Sequence, residues 1–103
     1  MKEILWTRHS KLKLREHALS ASRVRRVLNS PMRIERGIAE GTIALMRREK
    51  AIKKEFEIWV MVKDTTTARH IISAWRYPGI TNPGEPLPKK IIMEMELAVP
   101  NVS

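Results

Sequence analysis

The chain has 103 residues, the length of one domain, and 43% of them are apolar, close to the globular average of roughly 45–50%. It contains no cysteine, which excludes disulfides, thiolate catalysis and cysteine-ligated metal sites. The net charge is +9, and it is one-sided, because residues 1–54 carry +10 and residues 55–103 carry −1. A field concentrated in one half attracts polyanions and steers their approach.

The N-terminal part of the chain predicts one strand and two short helices. Residues 4–6 are a short apolar stretch typical of a strand, and Thr7 or Ser10 then offers an N-cap for a first helix. Ser20 is the N-cap candidate of a second helix, which ends at Pro31 because the residue before a proline disfavours the α conformation. The residues that share one face of this second helix are Ala21, Val24, Val27 and Leu28.

The pattern then changes from helical to alternating. Residues 32–35 alternate, residues 42–48 return after a glycine-containing loop, and residues 55–63 form the clearest strand. Residues 69–76 follow after a turn, so the short links predict an antiparallel meander of at least three strands. The two helices should pack on one face of this sheet. The predicted core consists of Val24, Val27, Leu28, Phe56, Ile58, Val60 and Val62.

The C-terminal part differs in composition. Residues 78–88 contain four prolines and two glycines, which indicates a loop or linker. Residues 91–99 alternate with period two, which favours a strand, although their good helix formers keep a helix open. We therefore divide the chain into an α+β domain (1–79), a linker (80–90) and a C-terminal extension (91–103). This extension should pack on the domain or on a second copy.

No catalytic motif is complete, but basic and aromatic side chains cluster on the last predicted strand and the first helix. His70 and Arg76 have the same parity, so both should point to one face of the sheet. Arg76 can hold a phosphate with two parallel hydrogen bonds, and a histidine can transfer a proton near neutral pH. Metal-free RNA cleavage, in which the 2′-hydroxyl attacks its own phosphate, needs these groups. The candidate catalytic residues are Arg76, His70, His9 and Tyr77.

A nucleic acid should bind the basic half of the chain. The expected contacts are Arg15, Arg23, Arg25, Arg26, Arg47, Arg48, Lys53 and Lys54. Alternatively, the arginines of the second helix form only a solvent-exposed face and bind no ligand. The spacing of the three histidines does not suit a metal, so we expect no metal and no other cofactor. No apolar run approaches the roughly 20 residues of a membrane span, and we expect a cytoplasmic protein without a membrane partner.

The order of these features resembles an uncharacterised microbial domain family similar to BrnT and, more distantly, to the RelE/ParE-like toxins. The resemblance covers residues 4–79 and rests on His9 at the start of a helix, on the helix end Val27-Leu28-Asn29-Ser30-Pro31, and on Ala74-Trp75-Arg76 closing the meander. It implies a RelE-like fold of two helices on an antiparallel sheet, with Arg76 and His9 at matching positions. It further implies RNA as the target and an antitoxin protein as the partner. The C-terminal extension is not part of the family's pattern.

Three functions follow, and whether the protein is an enzyme stays open. The first is an RNA-directed toxin-like protein that acts as a metal-free ribonuclease of a toxin–antitoxin system. The second is a nucleic-acid-binding module without catalysis. The third is a protein-interaction domain that forms a homodimer through its C-terminal extension.

Overall fold

A computed structural model describes residues 2–99 and has the α+β composition expected from the sequence. The described residues contain three helices and one five-stranded sheet. In chain order the elements are β1 (Glu3–Trp6), α1 (Arg8–Glu16), α2 (Ala21–Asn29), β2 (Arg33–Arg36), β3 (Thr42–Ala51), β4 (Lys54–Asp64), β5 (Ala68–Tyr77) and α3 (Lys89–Leu97). None of these helices is long and apolar enough to cross a membrane.

The sheet is mixed and has the strand order β1-β5-β4-β3-β2. Strands β2 to β5 form the expected antiparallel meander. Strand β1 adds to it in parallel, with Glu3 opposite Ala68 and Trp6 opposite Ile71. Strand β5 therefore has β1 as a neighbour on the side that the meander leaves open. Strand β2 forms the opposite edge of the sheet.

Side-chain caps start both N-terminal helices, as the sequence predicts. The Thr7 hydroxyl oxygen accepts from the Ser10 amide at 3.1 Å, and the Ser20 hydroxyl oxygen accepts from the Arg23 amide at 3.2 Å. The Thr7 hydroxyl also donates to the carbonyl of Ile71 at 2.7 Å. Helix α1 and its cap thus begin directly after the last residue of β1 that pairs with β5.

Helices α1 and α2 lie on one face of the sheet, which we call the helix-pair face. All seven predicted core residues belong to the apolar cluster on this face, and all are buried. Leu19, Leu45, Ile71 and Ala74 complete the buried cluster. At about 1.5–3 kcal/mol for each fully buried side chain of this size, this cluster is a major source of stability.

A second core covers the opposite face, which we call the α3 face. Ile91, Met95 and Ala98 of the C-terminal segment pack there against Trp59 and Trp75, among other residues. The two indole rings are stacked, with centroids 6.2 Å apart. The strand favoured for residues 91–99 is therefore wrong: the segment is helix α3, and it covers its own sheet. The helices also do not all precede the meander.

Candidate nucleic-acid interface

A β-bulge in β5 separates the residues predicted to be catalytic. Met61 lies opposite Ser73, whereas its neighbour Val62 lies opposite Ile71, so Ile72 is an extra residue in β5. The extra residue reverses the parity of the strand. His70 therefore points to the α3 face and Arg76 to the helix-pair face. The expectation that both point to one face is wrong, since parity counting assumes an unbroken ladder.

Arg76 holds the turn between α1 and α2 against the sheet. Its guanidinium lies over the ring of Phe56, 4.4 Å from the centroid, and donates to the carbonyl of Ala18 at 3.2 Å. Ala18 has a φ of 51°, in the left-handed region that non-glycine residues rarely adopt. The hydrogen bond from Arg76 helps to keep the carbonyl of this strained residue satisfied.

The other three catalytic candidates lie away from the Arg76 guanidinium. Tyr77 follows Arg76 in the strand and packs against the core of the α3 face. His9 is half-buried and lines a cavity of about 260 Å³ beside the C-terminal end of α3. The Arg76 amide instead donates to Nδ1 of His17, at 3.1 Å. His17 is eight residues beyond His9, which is roughly 12 Å along a helix. The four candidates therefore do not converge on one phosphate.

A polar cluster fastens α3 to α1. Lys13 pairs with Glu16 and Glu94, both at 3.0 Å, and Nε2 of His17 lies 3.3 Å from Glu94. Burial lowers the pKa of Lys13, but hydrogen bonds and attraction from the two carboxylates outweigh burial and hold it above its ordinary value. The hydrogen bond from Lys13 lowers the pKa of exposed Glu16. Lys13 is shared between two carboxylates, and His17 joins Glu94 to the Arg76 amide, so these side chains are occupied with one another in holding α3 on α1.

A buried carboxyl group ties the proline-rich loop to the sheet. Glu57 is fully buried and accepts from the Trp59 indole at 3.0 Å and from the Thr81 amide at 2.8 Å. Arg33 donates to the Thr81 hydroxyl and lies over the Trp59 ring, 5.5 Å from its centroid. Sequence reasoning missed this network, because an alternating Glu on a strand is typical of a solvent-facing position.

The β3–β4 hairpin extends beyond the strands beside it. Strand β2 pairs with β3 only over residues 43–46, and β5 pairs with β4 only from Glu57 onward. Residues 49–56 therefore form a two-stranded ribbon, and we call this ribbon together with Arg47 and Arg48 at its base (residues 47–56) the basic ribbon. Ile52 at its turn is 97% exposed, and Lys50, Lys53 and Lys54 beside it are exposed as well.

Helix α2 is attached along the base of the basic ribbon. Arg26 pairs with Glu49 at 3.3 Å, and Arg47 donates to the carbonyl of Ser30 at 2.9 Å. We call α2 and the basic ribbon together the basic surface. With Ser30 included, its residues (21–30 and 47–56) contain eight basic and two acidic side chains, or +6 of the total +9. The charge asymmetry seen in the sequence is thus concentrated on two adjoining elements in the fold.

Several cations of the basic surface are free to meet a ligand. Within residues 2–99, Arg23, Arg25, Lys50, Lys53 and Lys54 have no carboxylate within 4.0 Å. Some cations elsewhere are paired: Arg69 binds Asp64 at 2.7 Å, and this hydrogen bond holds the pKa of Asp64 below its usual range. Free cations that face solvent on adjacent elements suit a chain of phosphates.

The sequence located most of this surface. Seven of the eight expected nucleic-acid contacts lie on α2 or the basic ribbon, namely Arg23, Arg25, Arg26, Arg47, Arg48, Lys53 and Lys54. Arg15 is exposed on α1, outside the basic surface. Lys50, which lies in the same basic run of the sequence, also belongs to the surface.

Residues 2–99 contain no group of three or more His, Asp or Glu side chains arranged to hold a metal ion. None of the family models, curated proteins or solved structures compared with this chain matches it.

Proposed function

We propose that this protein binds RNA through the basic surface. The observation that carries the proposal is the concentration of +6 of the +9 net charge on α2 and the basic ribbon, which are fastened together by Arg26 and Arg47. Phosphate contacts from lysine and arginine dominate the affinity of most nucleic-acid-binding proteins. RNA is preferred over DNA on the resemblance to BrnT and the RelE/ParE-like toxins.

The binding mode should be backbone recognition with little sequence preference. The free side chains are arginines and lysines, which hold phosphates as forks or as point charges. Aromatic platforms for stacking single-stranded bases are absent from residues 21–30, and the one aromatic residue of the ribbon, Phe56, is buried beneath Arg76. Electrostatics therefore supplies the affinity, and salt should weaken it strongly.

A charge-reversal pair tests the proposal. Arg23→Glu with Arg25→Glu changes the net charge by −4 on the basic surface. The matched control, Arg8→Glu with Lys11→Glu, makes the same change on exposed positions of α1. Binding of a labelled single-stranded RNA would be measured over a salt series. The α2 variant should bind more weakly and lose roughly 0.7 from the log–log salt slope for each phosphate contact removed.

The control decides whether the location matters. It should retain most of the affinity, because α1 lies outside the basic surface. Equal losses in both variants would mean that only net charge attracts RNA, and an unchanged α2 variant would remove α2 from the interface.

RNA cleavage is a second candidate function, and a cavity beside the basic ribbon favours it. The cavity has a volume of about 250 Å³ and is lined by Lys54, Glu55 and Arg76, among other residues. A carboxylate can take the 2′-hydroxyl proton as the 2′-oxygen attacks phosphorus, and two cations can stabilise the charge that develops there. The bond from phosphorus to the 5′-oxygen breaks, and water protonates the departing oxygen. In this arrangement Glu55 replaces His70 as the base, and the protein acts as a ribonuclease toxin with an antitoxin partner.

Cleavage of RNA in the presence of a chelator tests this candidate. Glu55→Gln keeps the shape of an exposed side chain and removes the base, so it should lower the cleavage rate by about 10²–10⁴-fold. RNA binding should be unchanged. An intact substrate after incubation with the parent protein would leave binding without catalysis.

A further inference from the structure

Strand β2 offers an open set of backbone hydrogen-bonding groups at the edge of the sheet. The Gly37 amide donates to the carbonyl of Thr42 at 3.0 Å, which fixes the phase of the β2–β3 ladder. Because hydrogen-bonded and non-hydrogen-bonded pairs alternate in antiparallel strands, Glu35 and Arg33 bond to β3. The N–H and C=O groups of Ile34 and Arg36 therefore point away from β3, toward the open side.

Strand β2 carries one exposed apolar side chain, Ile34, among three charged ones, and two further exposed apolar side chains flank the strand. Ile34 is 61% exposed, Met32 is 52% exposed and Ile38 is 44% exposed. Ile34, Ile38 and half-buried Ile43 line a concave region of about 680 Å³ next to the edge. Exposed edges are usually protected by charges or prolines, and β2 has charges with Pro31 just before the strand, but the apolar group formed by Ile34, Ile38 and Ile43 on one side of this edge is left uncovered and can form part of an interface.

The charges on β2 are self-complementary in one register. In an antiparallel pairing of two identical strands, the residue on the twofold axis faces itself. Centring on Arg33, Glu35 or Arg36 places like charges opposite each other, which is destabilising. Centring on Ile34 places Ile34 against Ile34 and Arg33 opposite Glu35 of the second copy. In that register Ile34 exchanges both backbone hydrogen bonds, and Arg36 lies opposite Met32, whose own amide already donates to the carbonyl of Met46 at 2.7 Å.

Local charge also permits self-association in spite of the net charge of +9. Residues 31–46 contain two arginines and two glutamates, so this part of the chain is neutral. The repulsive charges lie mostly on the basic surface.

We propose that β2 pairs with β2 of a second copy of this chain, antiparallel and with Ile34 on the twofold axis. The pairing joins two five-stranded sheets into one of ten strands. The axis is perpendicular to the sheet, so the helix pairs of both copies lie on the same side. The exposed isoleucines beside the edge supply the apolar part of the interface.

The mass of the parent protein in solution is the first test. In a concentration series measured by light scattering, it should rise from 12.0 kDa toward twice that value. Ile34→Lys places two ammonium groups on the axis and should weaken the dimer at least about tenfold. The matched control is Leu12→Lys, because Leu12 is 53% exposed on α1. This control adds the same charge away from β2 and should dimerise as the parent does.

Crosslinking tests the register, which mass cannot report. The parent has no cysteine, so Ile34→Cys introduces a single thiol. Hydrogen-bonded antiparallel pairs have Cα atoms about 5.5 Å apart, within the roughly 4.4–6.8 Å range of disulfides. Ile34→Cys should therefore form a disulfide-linked dimer under mild oxidation much faster than Leu12→Cys. Arg36→Cys should crosslink with Met32→Cys in a mixture and not with itself.

Each alternative outcome overturns the proposal. A parent that stays at 12.0 kDa throughout the series would leave β2 open for a strand of another protein. A dimer that survives Ile34→Lys would use another surface. A dimer in which Arg36→Cys crosslinks with itself would have a different register. Circular dichroism and thermal melting of each variant confirm that it is folded, as expected for substitutions at exposed positions.

Discussion

Glu57 shows how one residue can organise a segment far away in the sequence. Its carboxyl group is surrounded by the Trp59 indole and by the amide and hydroxyl of Thr81. Carboxyl groups are almost never fully buried without partners, because burial removes their hydration. The donors from Thr81 replace that hydration and thereby fix the position of the proline-rich loop on the α3 face.

Removing this acceptor should lower the stability of the folded protein. Glu57→Ala leaves the indole, the Thr81 amide and the Thr81 hydroxyl without their partner, at about 1–3 kcal/mol for each unsatisfied group. We expect the free energy of unfolding to fall by about 3–5 kcal/mol in denaturant titrations followed by tryptophan fluorescence. Glu55→Ala, two residues away and exposed, should stay within about 0.5 kcal/mol of the parent. A Glu57→Ala protein as stable as the parent would contradict this role for the network.

The bulge at Ile72 explains why His70 and Arg76, both predicted to be catalytic, were assigned to the same face of the sheet from the sequence. Residues 68–77 form one continuous strand, as the alternation suggested, so the element was identified correctly. A single extra residue reverses every later side chain, and Ile72 has no sequence mark such as a glycine that would reveal it. Individual residue directions on a strand therefore need the ladder partners, which only the structure supplies.

At the level of elements, α3 shows which of the two apolar patterns in residues 91–99 determines the secondary structure. Residues 91–99 alternate with period two, and a strand would bury Met93 and Leu97 together with Ile91 and Met95. Ile91, Met95 and Ala98 are instead spaced by four and three residues, which is one face of a helix. The structure buries this helical set and leaves Met93 51% and Leu97 64% exposed. The good helix formers of the segment favoured the same result.

Two methionines on α3 provide a matched test of this packing. Met95→Ala removes a side chain that is 1% exposed and packed in the core of the α3 face. We expect it to lower the free energy of unfolding by about 2–5 kcal/mol, as for other large-to-small core substitutions. Met93→Ala on the exposed side should change it by no more than about 0.5 kcal/mol. Similar losses for both, measured by thermal or chemical denaturation, would mean that α3 packs in another orientation.

Strand β4 carries the core on both of its faces, and the sequence contained a signal for this. Phe56, Ile58, Val60 and Val62 face the helix pair, and Trp59 and Met61 face α3. A nearly continuous apolar run is typical of a strand buried on both sides. Only the first set was predicted as core, because the second layer comes from a segment for which a strand was favoured and which forms a helix.

At the scale of the whole molecule, the positive charge is concentrated on one part of the surface, and the stretch of chain that contains β2 is neutral. The basic surface occupies α2 and the basic ribbon, whereas the neutral stretch that contains β2 lies on the opposite edge from β1. The uneven distribution of charge was visible in the sequence. The contacts of Arg26 with Glu49 and of Arg47 with Ser30 were needed to show that residues 21–30 and 47–56 adjoin. The proposed dimer would place two basic surfaces on one side of a ten-stranded sheet.

This arrangement predicts that RNA length and dimer formation are linked. A dimer can hold one long RNA at two basic surfaces, and the second contact benefits from a high effective concentration. The protein measures 39 Å along its longest axis, so an RNA several times that length can reach both copies and one shorter than it cannot. At concentrations where the dimer forms, the parent should bind the long RNA up to about 100-fold more tightly than the short one.

Ile34→Pro separates this effect from simple charge attraction. Proline removes the outward-facing N–H that the second copy needs, but it is tolerated on an edge strand and does not change the charge. The variant should bind the short RNA as the parent does and lose most of the advantage of the long one. Both affinities would be measured by fluorescence anisotropy, with the mass of each protein determined in the same buffer. If Ile34→Pro is monomeric and still prefers the long RNA to the same degree, the preference arises from the number of sites on the RNA and the two copies do not act together.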